Sequence, residues 1–256
     1  MVQVSNIKVV LLDIEGTTTP LSFVKDKLFG YVRKNLRIHL EENFSNDEVQ
    51  EDIKAIITTA TTATTATATT TTSNTTNKST LVENVIEIVT KLMDEDRKST
   101  SLKQLQGHMF RQAFQSKAVV GEIYPDVLPF IQSVISKGSK VAIYSSGSIF
   151  AQKLLFGNTV NGDLSELITD YFDTTTGPKV QSSSYVKISQ HLNVTPSEIL
   201  FLTDLVQEAV AAREATLQAV LVARDDSRSV HDDELLPRVN EFTVIKSFDK
   251  IKIMTS

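Results

Sequence analysis

Two acids two residues apart, Asp13 and Glu15, close the apolar run Ile7-Lys8-Val9-Val10-Leu11-Leu12 and are followed by Gly16-Thr17-Thr18-Thr19. Such a run reads as a buried strand of a parallel sheet, and Gly16 breaks it. Along an ideal strand, residues i and i+2 share a face. Asp13 and Glu15 are therefore expected to face a crevice at the strand's carboxyl end, where open α/β sheets bind ligands. An acid pair beside free backbone N–H groups can hold a hard cation and attack a phosphate. The plainer reading is a strand whose acids cap the following turn, and Asp-x-Glu-Gly alone would favour it.

Further along the chain, Lys140-Val141-Ala142-Ile143-Tyr144 is a second apolar run, ending in Ser145-Ser146-Gly147-Ser148. Lys179 follows in Thr174-Thr175-Thr176-Gly177-Pro178-Lys179. A third run, Glu198-Ile199-Leu200-Phe201-Leu202-Thr203, ends in Asp204, with Glu208 one turn into the next helix. Each piece alone is ordinary: serines after strands cap helices, and single lysines are usually solvated. The ordered set, hydroxyl, lysine and acid after the acid pair, resembles the haloacid dehalogenase (HAD) superfamily of phosphohydrolases.

That resemblance implies an α/β fold, a HAD-like Rossmannoid parallel-sheet core with an inserted helical cap. It also implies roles. Asp13 attacks phosphorus, giving an aspartyl-phosphate. Glu15 protonates the departing oxygen and later activates water. Asp13, Glu15 and Asp204 hold one Mg²⁺, a cation that wants oxygen ligands and keeps waters. Ser145 and Ser146 contact the phosphoryl group, helped by N–H groups at the start of the next helix, and Lys179 supplies a fixed positive charge.

Glu15 narrows the match, because most phosphatases of the superfamily place Asp there. Leu11 to Pro20, Leu102-Lys103-Gln104-Leu105-Gln106-Gly107-His108-Met109, Tyr144 to Ser148, Ala151-Gln152-Lys153-Leu154-Leu155-Phe156-Gly157, Tyr171-Phe172-Asp173 and Leu200 to Asp204 together look like the enolase-phosphatase family of methionine salvage. The Gln104–His108 and Gln152–Gly157 blocks are not general superfamily features and carry most of the specificity. The implied reaction converts 2,3-diketo-5-methylthiopentyl-1-phosphate, through its enol phosphate, to an acireductone plus phosphate. Where family members have Arg-Pro-Gly-Asn, this chain has Asp225-Asp226-Ser227-Arg228 after Arg224. A HAD phosphatase for another small phosphate ester is the alternative, because the cap sets specificity. A metal-free dehalogenase is disfavoured by Glu15 and the threonine run, and a relic scaffold by the retention of Asp13, Lys179 and Asp204.

Placing those residues requires alternating strands and helices. The region from 21 to 119 lacks a convincing buried strand. It carries helical apolar spacing at Val24, Leu28, Tyr31, Val32 and Leu36, a helix start at Ser45-Asn46-Asp47-Glu48, and helices over 81–93 and 101–116. The expected organisation is a core of 1–20 and 120–256 with a helical cap at 21–119. Residues 58–80 are nearly all Thr, Ala, Asn and Ser, too poor in apolar surface to offset ordering entropy, and read as a disordered loop. His108 is the best cap candidate for an extra acid or base, although a helical histidine beside Met109 and Phe110 more often serves the core. Phe23 and Phe110 are likewise read as core before substrate contacts.

Length and composition agree with this organisation. The 256 residues are 41% hydrophobic and 22% charged, with net charge −5, which is ordinary for a globular protein. The balance gives no broad basic surface for nucleic acid or anionic membrane. Without cysteine there is no disulfide, thiolate metal site or thiol nucleophile. No secretory leader or bilayer-length apolar run is read. The expectation is a cytoplasmic monomer, with diffusion into the nucleus open to a chain of this size, acting on a small phosphorylated substrate.

Overall fold

The computed structural model describes residues 1–63, 77–225 and 236–254. The chain forms two compact units, one of residues 1–25 and 120–256 and the other of residues 26–119.

The first unit is built on a six-stranded, wholly parallel sheet of order β4-β3-β2-β5-β6-β7. Its strands are β2 (Val9–Leu12), β3 (Lys140–Tyr144), β4 (Asp170–Phe172), β5 (Ile199–Thr203), β6 (Gln218–Val222) and β7 (Thr243–Ile245). A small separate pair joins β1 (Val2–Ser5) to β8 (Ile251–Met254). β2 and β5 are buried at every residue, as a sheet covered on both faces requires. Among the described residues the α-helices of this unit are α5 (Val127–Ser136), α6 (Ile149–Gly157), α7 (Ser182–Leu192), α8 (Val206–Glu214) and the short α9 (Leu236–Val239). Val9, Leu11, Ala142, Tyr144, Ile199 and Phe201 pack in one cluster with Tyr185 and Ile188 of α7 and Ala211 and Ala212 of α8. Each of the larger aliphatic and aromatic side chains among them contributes about 1.5–3 kcal/mol when fully buried.

The strand order matters for the site. From β2 the chain proceeds to β3 and β4 on one side, then crosses to β5 on the other. The carboxyl ends of β2 and β5, paired in register Leu12 with Leu202, thus flank the topological switch point where such sheets bind ligands.

The second unit contains four helices among its described residues: α1 (Phe29–Glu42), α2 (Asp47–Ala63), α3 (Lys78–Asp94) and α4 (Thr100–Gln115). Each packs against two others. They bury Val32, Leu36, Leu40, Ile53, Ile56, Val82, Val85, Val89, Leu105 and Met109, residues at three- and four-residue spacings that share a helix face. Asn46 caps α2, accepting the Glu48 N–H at 2.9 Å, where a helix start was expected. The stretch with helical spacing from Val24 to Leu36 divides, with a π-helical turn over Phe23–Leu28 before α1.

The expected loop at 58–80 is partly helix. α2 continues to Ala63 and α3 begins at Lys78, while residues 64–76 lie outside the described part. Thr58 and Thr59 donate their hydroxyls to the carbonyls of Lys54 and Ala55 at 2.8 and 2.9 Å, back-bonds compatible with helix. Thr59 also meets the Ser101 hydroxyl at 2.8 Å. Local hydrogen bonding and packing on α4 thus carry the helix past its last large apolar residue.

A polar cluster sits inside this unit. Asp52 is fully buried. It accepts Gln104 Nε2 at 2.9 Å and meets His108 Nδ1 at 2.7 Å. His108 Nε2 lies 3.4 Å from Glu48, which also pairs with Arg111. These contacts give His108 a structural task, joining α4 to α2. Phe110 is buried against Phe29, ring centroids 5.9 Å apart, and Phe23 is fully buried, so both are core residues. Among the described residues no helix is long and apolar enough to cross a membrane.

Removing a buried charge leaves its partners unmet, at a cost of about 3 kcal/mol. Asp52→Ala is therefore expected to destabilise the helical unit by that order, measurable by urea denaturation, while Glu83→Ala, which loses an exposed ion pair with Arg37, should leave the urea midpoint close to wild type.

Candidate active site

Asp13 follows β2 directly. Its N–H donates to the Leu202 carbonyl at 3.0 Å, holding it against the end of β5. Its side chain is buried. Oδ1 accepts the Ile14 N–H at 2.8 Å and Lys179 Nζ at 2.6 Å. Oδ2 lies 3.4 Å from the Thr203 hydroxyl, whose hydrogen has the better partner in Glu208 Oε2 at 2.9 Å. The second oxygen is therefore the weakly engaged one.

Beyond Asp13 the chain coils on itself. The Ile14 carbonyl accepts the N–H groups of Thr17, Thr18 and Thr19 at 3.2, 2.9 and 2.9 Å, and Gly16 N–H donates to the Thr19 carbonyl at 2.8 Å. The turn needs φ of +74° at Gly16, a region that glycine enters without steric cost. Strand geometry stops at Leu12, so alternation does not govern Glu15. Asp13 is buried, whereas Glu15 lies half-exposed on the turn.

Asp204 follows β5 as Asp13 follows β2, and it is fully buried. A Cβ on Gly16 would lie 2.6 Å from Asp204 Oδ2. Glycine at 16 thus serves twice, admitting the positive φ and letting the loop pass over this carboxylate.

Lys179 is buried between Asp13 and Glu208, 2.6 and 2.7 Å from their oxygens. Burial pushes its ammonium towards the neutral form, but the two carboxylates outweigh it and raise the pKa above the ordinary lysine value. Lys179 is a permanent cation. Burial, reinforced by the Asp13 charge, pushes the Glu208 carboxyl above its usual range against the pull of Lys179. Glu208, noted in the sequence only for its place in the helix, is thus the second support of this lysine. The sequence signal for it was an acid four residues after the strand-end Asp204.

The loop that delivers Lys179 is itself held. Tyr144 donates its hydroxyl to the Gly177 carbonyl at 2.8 Å and Tyr185 to the Lys179 carbonyl at 2.6 Å. Burial raises both phenol pKa values, so both remain donors. Asp173, which sequence reasoning gave no role, binds this loop to the serine loop. Its Oδ1 accepts the Thr175 N–H and hydroxyl at 2.8 and 2.6 Å, and its Oδ2 accepts the Ile149 N–H at 3.2 Å.

Ser145 follows β3, buried, with its N–H on the Phe172 carbonyl at 3.1 Å. Its oxygen accepts the Gly147 N–H at 3.3 Å, leaving its hydrogen to donate. Ser146 is half-buried beside it. The expectation that α6 offers free N–H groups needs correction. Ile149 N–H goes to Asp173, Ala151 N–H to the Ser148 hydroxyl at 3.3 Å and Gln152 N–H to the Ser148 carbonyl at 3.0 Å. A helix start already capped by side chains has fewer donors for an anion.

The structure therefore joins Asp13 with Lys179, brings Asp204 against the turn after Asp13, and sets Ser145 at the end of the neighbouring strand. Among the described residues no three acid or imidazole side chains converge as a metal cluster. Of the residues expected to hold the ion, Asp13 and Asp204 are buried and Glu15 is half-exposed on the turn after Asp13. Asp13 Oδ1 is turned onto Lys179, and Glu15 lies beyond the strand's alternation.

This fold and site define a hydrolase of the HAD kind. Residues 7–216 match the haloacid dehalogenase-like hydrolase family. The chain is 43% identical over 256 residues to enolase-phosphatase E1 of Branchiostoma floridae, covering 96% of this chain and 83% of that protein. It is 44% identical over 231 residues to enolase-phosphatase E1 of Xenopus tropicalis, covering 89% of each. The crystal structure of the UTR4 protein of Saccharomyces cerevisiae superposes with a TM-score of 0.74 at 30% identity, over 95% of this chain and 99% of that one. The chain belongs to the haloacid dehalogenase-like hydrolases and, within them, to the enolase-phosphatase E1 family.

Gly16→Ala adds a methyl where the Asp204 carboxylate already stands and strains a positive φ. Displacements of this size in a reacting constellation cost roughly 10²-fold in rate. The expected outcome is that loss in phosphate release with a thermal midpoint within a few degrees of wild type, checked by steady-state phosphate assay and circular dichroism.

Proposed function

We propose that the site enolises and then dephosphorylates 2,3-diketo-5-methylthiopentyl-1-phosphate, releasing the acireductone 1,2-dihydroxy-3-keto-5-methylthiopentene and phosphate, a step of methionine salvage. The observation that carries the phosphoryl half is the buried contact of Lys179 with Asp13 at 2.6 Å. A carboxylate held against a buried ammonium is fixed in place for attack on phosphorus. The same cation lies within reach of a phosphoryl oxygen brought to Asp13, where it offsets negative charge at no reorganisation cost. The particular substrate rests on the family to which the chain belongs.

Asp13 attacks phosphorus with Oδ2, the oxygen with the weaker hydrogen bonding, while Oδ1 stays on Lys179 and Ile14 N–H. Glu15, half-exposed on the turn, delivers the proton to the departing oxygen and then takes one from the water that hydrolyses the aspartyl-phosphate. Ser145 donates its hydroxyl to a phosphoryl oxygen, with Ser146 beside it. Glu208 keeps Lys179 charged and in place.

The residues fit one Mg²⁺. Three buried carboxyl groups, Asp13, Asp204 and Glu208, stand with one buried ammonium, Lys179, a set rich in hard oxygen donors. Mg²⁺ needs only one or two carboxylates because it keeps several waters, so Asp13 and Asp204 suffice, with Glu15 on the intervening turn. When bound, the ion supplies charge neutralisation at the phosphoryl group and polarisation of a substrate carbonyl, which acidifies the neighbouring C–H.

The deciding assay supplies the diketone phosphate and Mg²⁺ and follows the enol by absorbance and phosphate by a coupled assay. Wild type should produce both. Asp13→Asn should lose phosphate release by at least about 10³-fold, and wild-type release by this variant would remove Asp13 as nucleophile. Lys179→Ala should depress release from both the diketone phosphate and p-nitrophenyl phosphate, and EDTA should abolish it reversibly. Phosphate release from ordinary esters without enol formation from the diketone would instead establish the alternative, a phosphatase for another small ester.

A further inference from the structure

Arg224 lies two residues beyond β6, is buried, and has been given no part in the reaction. Its guanidinium reaches back to the loop after Asp13. Nε and Nη2 donate to the Thr17 carbonyl at 3.2 and 3.0 Å. Nη1 donates to Asp126 Oδ2 at 2.8 Å and to the Lys246 carbonyl at 3.3 Å. The group sits 4.2 Å from the ring centroid of Tyr124 and 4.8 Å from that of Phe248. Asp126 is anchored in turn by the Ser247 hydroxyl at 2.8 Å and the Phe248 N–H at 2.6 Å.

A trans peptide is a rigid plane whose C=O and N–H point in opposite directions. The Thr17 carbonyl shares its plane with the Thr18 N–H, which points inward to the Ile14 carbonyl at 2.9 Å. Arg224 holds the outer end of that same plane. The next plane repeats the pattern: Thr19 N–H points to Ile14, and the Thr18 carbonyl accepts the Tyr124 N–H at 3.0 Å. The Thr18 hydroxyl, carried between these two planes, donates to the carbonyl of Asp13 itself at 3.0 Å. A fork with several donors in one plane can grip one carbonyl while remaining tied to Asp126, which a lysine's point charge cannot do.

We propose that Arg224 is a positioning residue for the nucleophile: its grip on the Thr17 carbonyl locks the Asp13–Thr19 turn in the one conformation that presents Asp13 and passes Gly16 over Asp204. This rests on Asp13 being the nucleophile. A residue acting in this way changes turnover more than substrate affinity, and its effect is recoverable when the missing guanidinium is returned.

The test uses the full-length protein with Mg²⁺ and both p-nitrophenyl phosphate and the diketone phosphate. Arg224→Ala and Arg224→Lys should lower kcat about 10²-fold on either substrate, with KM changed by less than about threefold. Millimolar guanidinium chloride should restore a large part of kcat to Arg224→Ala, filling the slot between Tyr124 and Phe248, whereas sodium chloride at equal ionic strength should not. A folded Arg224→Ala with wild-type kcat, or a loss that guanidinium leaves untouched and that tracks a fall in thermal midpoint, overturns the proposal. Should Arg224→Ala fail to fold, Arg224→Lys and Asp126→Asn are scored on the same kcat and KM criteria, wild-type kcat in both overturning it. Failure of the functional reading is separately visible, as absence of phosphate release by the wild-type protein.

Discussion

A lysine ammonium buried between two carboxylates is the interaction on which the first unit depends. Taking a charge out of water costs several kcal/mol even after relaxation, and Lys179 is affordable only because Asp13 and Glu208 meet it at 2.6 and 2.7 Å. Each of the three comes from a different part of the chain: the end of β2, the loop before α7 and the first turn of α8. Their meeting therefore fixes the relative placement of those elements. The loop bearing Lys179 is secured by Tyr144 and Tyr185, whose rings stand edge-on 5.5 Å apart. Their hydroxyls accordingly link the apolar core of the sheet to the charged site above it.

That arrangement belongs to a parallel sheet with a switch in strand order. At the carboxyl ends of β2 and β5 the strand order reverses, the place where such sheets bind ligands. Asp13 and Asp204 occupy equivalent positions, one residue past neighbouring strands. The turn between Asp13 and Thr19 is closed by its own amides on Ile14 and gripped from outside at its carbonyls by Arg224 and Tyr124. Catalysis of phosphoryl transfer is largely positioning and electrostatics, so a tight turn and a fixed cation are what the chemistry asks of the protein.

The helical unit obeys a separate logic. Its apolar faces form a core of their own, and inside it Asp52, Gln104 and His108 make a satisfied polar network between α2 and α4. Such a network is costly if half-paired and specifying when complete. The threonines at the end of α2 extend the helix through back-bonds to the preceding turn, which accommodates a composition with little apolar surface of its own.

Much of this was legible in the linear chain. Buried parallel strands announce themselves as continuous apolar runs with Asp13, Ser145 and Asp204 just past them, and the order Asp13, Ser145, Lys179, Asp204 carried the resemblance that implied the class of fold. Helical spacing placed α3 and α4 to within a few residues. Tertiary structure alone decided the rest. Alternation said that Asp13 and Glu15 share a face, but the strand ends at Leu12 and a glycine-centred turn takes over. The helix start after Ser145 reads as an anion site, yet Asp173, distant in sequence, consumes one of its donors. Glu208, Asp173, Arg224 and Asp52 acquire their meaning from partners tens to hundreds of residues away. Local sequence encodes backbone preference and burial, which act between near neighbours. Which polar group satisfies which other depends on the folded path of the chain, and no spacing records it.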